Sequence, residues 1–172
     1  MNISMYQASA PRFVNILTNL SAILDKAQAH VDARKIDPAA LTTYRLFPDM
    51  HPMTRQVQIA CDAAKGAVAR LAGVESPKHE DTEQTLTELK ARIAKTIEFI
   101  KSIKPAQIDG SEDKAIKITF PSGATREFTG QSLLLTNALP NFYFHCTTAY
   151  DILRQCGIEL GKRDFMGTPV SL

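Results

Sequence analysis

Four stretches of this sequence repeat their apolar residues at spacings of three and four, and each is bounded by proline or glycine. That pattern allows little except helices packed side by side. The first stripe is Phe13, Ile16, Leu17, Leu20, Ile23, Leu24, Ala27 and Val31, on a helix capped by Ser4, running to about Ala33 and starting or kinking at Pro11. The second helix opens near Pro52 and stops at Gly73, with Met53, Val57, Ala60, Ala64, Val68 and Leu71 on its apolar face. The third starts at or just before Thr82, carries Leu86, Leu89, Ile93, Ile97, Ile100 and Ile103, and ends at Pro105. Acids at Asp81, Glu83 and Glu88 and bases at Lys101 and Lys104 suit its macrodipole, and it reads as structural. The fourth runs from Leu139 to Gly157, with Pro140 in its first turn and Gly157 as its stop.

The connections are also legible. Asp37-Pro38 predicts one short helical turn through Leu41. Residues 74–81 are a polar, proline-containing loop. Ala115 to Phe120 alternates apolar and polar side chains, Pro121-Ser122-Gly123 is a turn, and Thr125 to Phe128 is a return strand, which together make a short β-hairpin. Such a hairpin is marginal alone and must dock on the helices, where it could cover one end as a lid. Gly130 to Asn137 is either a short helix or the front of the last helix, kinked at Pro140. The tail after Gly157 is irregular, with Phe165 and Met166 packing back. The fold class is therefore all-α, an up-down four-helix bundle with a hairpin between helices three and four, in one domain over residues 1–172.

Composition narrows function mainly by exclusion. Twenty basic residues against eighteen acidic ones, interspersed, give a net charge of +2 and no basic stripe for nucleic acid. No apolar run is long enough to span a bilayer, and the N-terminus lacks a secretory pattern, so a cytoplasmic location is expected. Cys61, Cys146 and Cys156 have no metal-ligand spacing and read as core-filling thiols in a reducing compartment.

The chemistry concentrates on the last helix. A 100° step puts Phe142, His145, Ala149, Ile152, Leu153 and Cys156 on one inward face, with Asn141 one turn before His145 at its edge. A buried imidazole facing other helices can be a metal ligand, a base or ligand-binding group, or a hydrogen-bonded core residue, and the sequence leaves all three open. On the second helix Gln56 shares a side with Ala60, Ala63 and Ala67 and should face inward, where it needs partners and could line a site with His145. His51, Arg55, Gln58 and Asp62 cluster opposite the apolar face, either as a solvated charged surface or as the rim of a pocket. Tyr150 is a further candidate, with packing on a neighbouring element as its alternative.

Two segments carry a family resemblance: PNFYFHCTTAYDILRQCGIELGKRDFMG at Pro140 to Gly167 and FPDMHPMTRQVQIACDAAKGAVARLAG at Phe47 to Gly73. The chain resembles the DinB/YfiT-like four-helix bundles, and more closely a bacterial domain-of-unknown-function branch of them. The resemblance implies a divalent metal, often zinc or nickel, on three histidines: one from the second helix and two, four residues apart, from the last. It also implies transferase or isomerase chemistry with low-molecular-weight thiols in some members. On that pattern His145 takes the place of the second helix-four histidine, Asn141 stands where the first should be, and Gln56 or, more distantly, Asp62 is the nearest candidate on the second helix. One histidine with two amides is a weak site for zinc or nickel. The expected function is a small-molecule-binding, metal-free bundle with a polar pocket around His145. The competing expectation is a metal- or thiol-dependent enzyme using that residue. A homodimer through an alanine-rich face is a further expectation.

Overall fold

A computed structural model describes residues 3–119 and 122–168. Ser4 caps a single turn, α1 (Met5–Ala8), through a reciprocal pair of bonds with Gln7. The helix is interrupted at Ser9, and Pro11 then occupies the first turn of α2 (Ala10–Arg34), where its missing N–H is harmless. The predicted turn after Asp37 is α3 (Ala39–Thr42), with the Asp37 carboxylate accepting from the Ala39 N–H at 2.9 Å. The remaining long helices are α4 (Met53–Ala72), α5 (Leu86–Ser102) and α8 (Leu139–Gln155). The short turns α6 (Pro105–Ile108), α7 (Gly130–Ser132) and α9 (Lys162–Met166) complete the helical set among the described residues.

The four long helices form a ring. α4 packs on α5 and α8, and α2 closes the circle against α5 and, less extensively, α8. Helices α2 and α4, consecutive among the long ones, therefore stand across a diagonal. Phe13 and Phe142, both fully buried, meet edge to face at 4.9 Å where α2 crosses α8.

Chain direction follows from which residues meet. Asp25 of α2 reaches Lys90 of α5, and Tyr6 N–H donates to Asp109 beyond the end of α5, so α2 and α5 run opposite ways. Asp62 of α4 meets Arg92 of α5, while Lys114, past the end of α5, donates to the Arg70 and Leu71 carbonyls at the end of α4. α4 and α5 are thus parallel: the bundle is there, but its consecutive long helices do not all alternate in direction as the up-down expectation has them, and the loop between α4 and α5 must retrace the bundle. A helix of 20 residues is about 30 Å long, and residues 74–85, extended, reach roughly 40 Å, enough for the return.

The third helix starts later than its charge pattern suggests. Thr85 is its N-cap, with a capping box to Glu88, so Asp81 and Glu83 lie outside the first turn. They serve the returning loop instead. Arg92, its side chain 1% exposed, donates from Nη1 to both oxygens of Glu83 at 3.1 and 3.2 Å and to the Glu80 carbonyl at 3.1 Å. Its Nη2 reaches Asp62 at 2.8 Å and Asp81 at 3.0 Å. Gln58 donates to Glu83 at 2.9 Å, Arg55 pairs with Asp81, and Lys65 sits 3.0 Å from Asp62. The sequence pattern marks α5 as purely structural and apolar; its most consequential residue is this buried cation.

The hairpin pairs β1 (Ile116–Thr119) with β2 (Thr125–Phe128) in antiparallel register, Ile116 opposite Phe128 and Thr119 opposite Thr125. Phe120 and Pro121, expected at the end of the first strand and in the turn, lie outside the described residues. Ile116 is buried, and Ile118 and Phe128 pack against the core. Gly130 then lets the chain enter the last helix, because a Cβ there would stand 1.9 Å from the Ser111 carbonyl oxygen.

From Gly130 the backbone is helical without interruption to Gln155, but the turn Leu133–Ala138 is widened into a π-helix. Pro140, two residues beyond it, can donate no hydrogen bond to that turn. The front-of-the-helix reading of residues 130–137 therefore holds, with a π segment at the proline. The tail is more regular than expected. α9 lies on α2, with Asn19 donating to the Phe165 carbonyl at 3.0 Å and Lys26 paired with Asp164 at 2.7 Å. Phe165 packs inward and Met166 stays exposed.

Removing Arg92 would leave Glu83 without a cation, take one of two from Asp62 and from Asp81, and free the returning loop. Arg92→Ala is expected to lower stability by about 3–5 kcal/mol in urea unfolding, as for a broken buried ion pair. Amide exchange should speed up across residues 74–85 and hold steady along α8. A loss below about 1 kcal/mol would contradict this account of the loop.

Candidate functional site

His145 is buried, 8% exposed, and faces α4 as its place on the helical wheel predicts. Its Nδ1 lies 2.6 Å from Gln56 Oε1. Gln56 is itself 2% exposed, and its Nε2 donates to the His51 carbonyl at 3.0 Å. That second bond fixes the chemistry. A backbone carbonyl only accepts, so the amide nitrogen must face it and the amide oxygen must face the imidazole. The His145 Nδ1 therefore carries the proton and donates. In the neutral ring Nε2 keeps its lone pair, and among the described residues no group bonds to it.

The ring is held neutral. Burial, reinforced by the nearby His51 and Arg55, lowers the His145 pKa from the ordinary 6.5 to about 4. The cysteines are equally quiet. Burial pushes the Cys61 thiol up to about 12 and Cys146 well above its usual value, and raises Cys156 as well. A thiolate nucleophile is not available from Cys61 or Cys146 near neutral pH.

The other candidates scatter. Asp62 is engaged by Arg92 and Lys65 rather than by His145. Tyr150 packs its ring on Phe165, centroids 6.1 Å apart, the neighbouring-element alternative. The polar set on α4 also divides: Gln58 is buried, and Arg55 and Asp62 join the network under the loop while their outer edges reach a groove. Asn141 lies on the exposed edge of α8 and lines that same groove.

The groove runs along α4 from Arg55 to Arg70, roughly 22 Å at the helical rise per residue. Its cavity measures about 350 Å³, within the range of small-molecule sites. One wall is α4, with Ile59, Ala63 and Ala67. The opposite wall is the π segment and the start of α8, with Leu133, Asn137, Ala138 and Asn141. Ile118 and Thr119 of β1 form the third side, so the hairpin does cover a pocket. His145 is not part of the lining; it sits one turn further along α8, behind the Arg55 end. Helix composition gave no sign of Arg70 or Asn137, because their significance depends on the hairpin being laid against α4. The widened turn is a feature that recurs at functional sites.

A family model described as a domain of unknown function, DUF1993, matches residues 5–166. The chain belongs to that family. It is also similar to a protein of solved crystal structure, described as a DinB family member protein from Shewanella denitrificans at 1.83 Å resolution. The two are 41% identical, with a TM-score of 0.88, over 97% of this chain and 94% of that one. No curated protein matches the chain. The resemblance to DinB-like bundles and the helical bundle fold are thereby established for this DUF1993 chain.

The metal implied by the wider fold family finds a poor donor set here. Among the described residues no three His, Cys, Asp or Glu side chains gather around one point. The Gln56 amide is spent on His145 and the His51 carbonyl, and Asp62 is held by two cations. One imidazole nitrogen and an exposed amide at Asn141 do not make a zinc or nickel site.

Neutral His145 gives a pH signature. Above about pH 6.5 the ring is uncharged whether folded or unfolded. Between 6.5 and about 4 the unfolded chain takes up a proton that the folded chain refuses, so stability falls as pH drops through that window. His145→Leu should be less stable at pH 7.5 by about 1–3 kcal/mol, since Gln56 Oε1 loses its donor. Its stability should also decline less steeply between pH 6.5 and 4, by up to one proton. Parallel pH curves for the two proteins would contradict the assignment.

Proposed function

We propose that this chain is a metal-free, small-molecule-binding bundle whose ligand occupies the groove between α4, the π segment and the hairpin. The observation that carries the reading is the groove's composition: an apolar floor with convergent polar groups, closed on one side by a hairpin that has no other evident task. In this reading the His145–Gln56 pair locks α8 against α4 and sets the shape of the groove's Arg55 end.

A second reading makes His145 chemically active, as the base of a thiol-dependent transferase or isomerase, or as a ligand to a divalent metal. The free lone pair on Nε2 favours it. The depressed basicity weighs against it, because a group that titrates near 4 is poorly matched to removing a thiol proton near pH 7. A homodimer has less support than the sequence lent it, since Ala60, Ala64 and Val68 of α4 are fully buried inside the bundle.

The test combines metal analysis with a fragment screen on untagged protein prepared without chelator. Zinc and nickel are expected well below one per chain and unchanged by His145→Ala. Fragment hits are expected to shift the Asn137 and Asn141 side-chain amide signals, and Ala63→Phe, which fills the groove, should abolish them. One metal per chain, lost on His145→Ala, would overturn the metal-free reading in favour of the second. Hits that ignore Ala63→Phe would overturn the groove.

A further inference from the structure

We propose that the groove's ligand is a small organic monocarboxylate with an apolar body, and that Arg70 is the residue that recognises the carboxylate. The inference rests on the groove being a ligand site and names the class of ligand it takes.

Three charged side chains line the groove, and they are not equivalent. Arg55 is committed to Asp81 and to Gln58 Oε1 at 3.2 Å. Asp62 is committed to Arg92 and Lys65. The Arg70 guanidinium has five N–H donors and, among the described residues, neither an ion pair nor a hydrogen bond. Lys114, another cation at this end of α4, is engaged with the Arg70 and Leu71 backbone carbonyls. The groove therefore contains one uncommitted positive charge, at the end away from His145.

The position of that charge is built. Arg70 folds back one turn along α4 and lies across Gly66, where a Cβ would come within 2.6 Å of Nη1. Any side chain at that position would lift the guanidinium off the helix. Arg70 is exposed to solvent overall, and the contact with α4 strips only part of its water; that lowers its pKa, with no anion of the protein to offset the loss. A bound carboxylate would supply that offset through two parallel N–H···O bonds, a geometry that a planar guanidinium fork fits and an ammonium does not.

The rest of the lining says what the carboxylate is attached to. Beside Arg70 the walls are Ala67, Ala63, Ile59, Leu133 and Ile118, which suit hydrocarbon. Asn137 and Asn141 face the same space without a protein partner among the described residues, and can hydrogen-bond a polar substituent further along. One uncommitted cation matches one negative charge. A phosphate monoester, carrying close to two charges, would be left half-neutralised over an apolar floor.

Phenylacetate and hexanoate, each paired with its neutral amide, test this on the full chain by ¹H–¹⁵N NMR titration at pH 7. The acids are expected to shift the Arg70 Nε–H and the Asn137 and Asn141 side-chain signals, and to bind at least about tenfold more tightly than the amides, one charge-assisted bidentate contact being worth that much. Arg70→Gln should erase the difference between acid and amide while leaving the backbone spectrum of a folded protein. Arg70→Lys should recover only part of it. Equal binding of acids and amides, indifferent to Arg70→Gln, would overturn the anion assignment and leave the groove standing. No shift at the groove from any of the four probes would overturn both.

Discussion

The Arg92 guanidinium is buried against carboxylates from two places in the chain, Asp62 on α4 and Asp81 and Glu83 on the returning loop. The arrangement of the bundle depends on this contact. Two parallel neighbouring helices require a connection as long as the helices themselves, and such a connection has few apolar residues with which to hold itself down. Here it is held by charge. Arg55, Lys65 and Arg92 balance Asp62, Asp81 and Glu83, and Gln58 completes the set with a bond to Glu83. A buried ion network adds little net stability over an apolar replacement, but breaking one partner leaves the others without compensation. Its effect is to specify one path for the loop and one register of α5 on α4.

That register has consequences on the far side of α4. The same helix that gives Asp62 to Arg92 turns Gln56 to His145 and Ala63, Ala67 and Arg70 to the groove. The widened turn before Pro140 and the close approach of Gly130 to Ser111 then bring the π segment and β1 alongside. The groove is therefore a product of three separate constraints: a charge clamp, a proline that disrupts helical bonding, and a glycine that lets two backbones touch. A wall of alanines leaves space that larger side chains would have filled.

Much of the fold could be read directly. The stripes at Phe13–Val31, Met53–Leu71 and Leu86–Ile100 are buried as their spacing requires, apart from Ile97, which is only half-buried, and Pro11, Gly73, Pro105 and Gly157 mark boundaries for backbone reasons that do not depend on context. The inward turn of His145 and Gln56 was equally legible, because helical phase fixes direction once the apolar face is known. What could not be read was anything that depends on how elements meet. Asp81 and Glu83 look like the acidic start of a helix, and only the position of Arg92 in three dimensions makes them its partners. Asp62 reads as part of a solvated surface or a pocket rim for the same reason. Arg70 and Asn137 are unremarkable in sequence; they matter because a hairpin nearly fifty residues from Arg70 lies over them.

The His145 imidazole is a neutral ring that donates from Nδ1 to Gln56 and ties α8 to α4, and the metal-free groove we propose requires it to stay in that state. Long-range ¹⁵N–¹H NMR of the His145 side chain, recorded at pH 7 with and without one equivalent of zinc, measures that state directly. The predicted spectrum has a pyrrole-type, protonated Nδ1 and a pyridine-type Nε2, unchanged by zinc and lost to the opposite tautomer or to averaging in Gln56→Leu. A protonated Nε2, an imidazolium at pH 7, or a zinc-dependent shift of Nε2 at stoichiometric metal would contradict it.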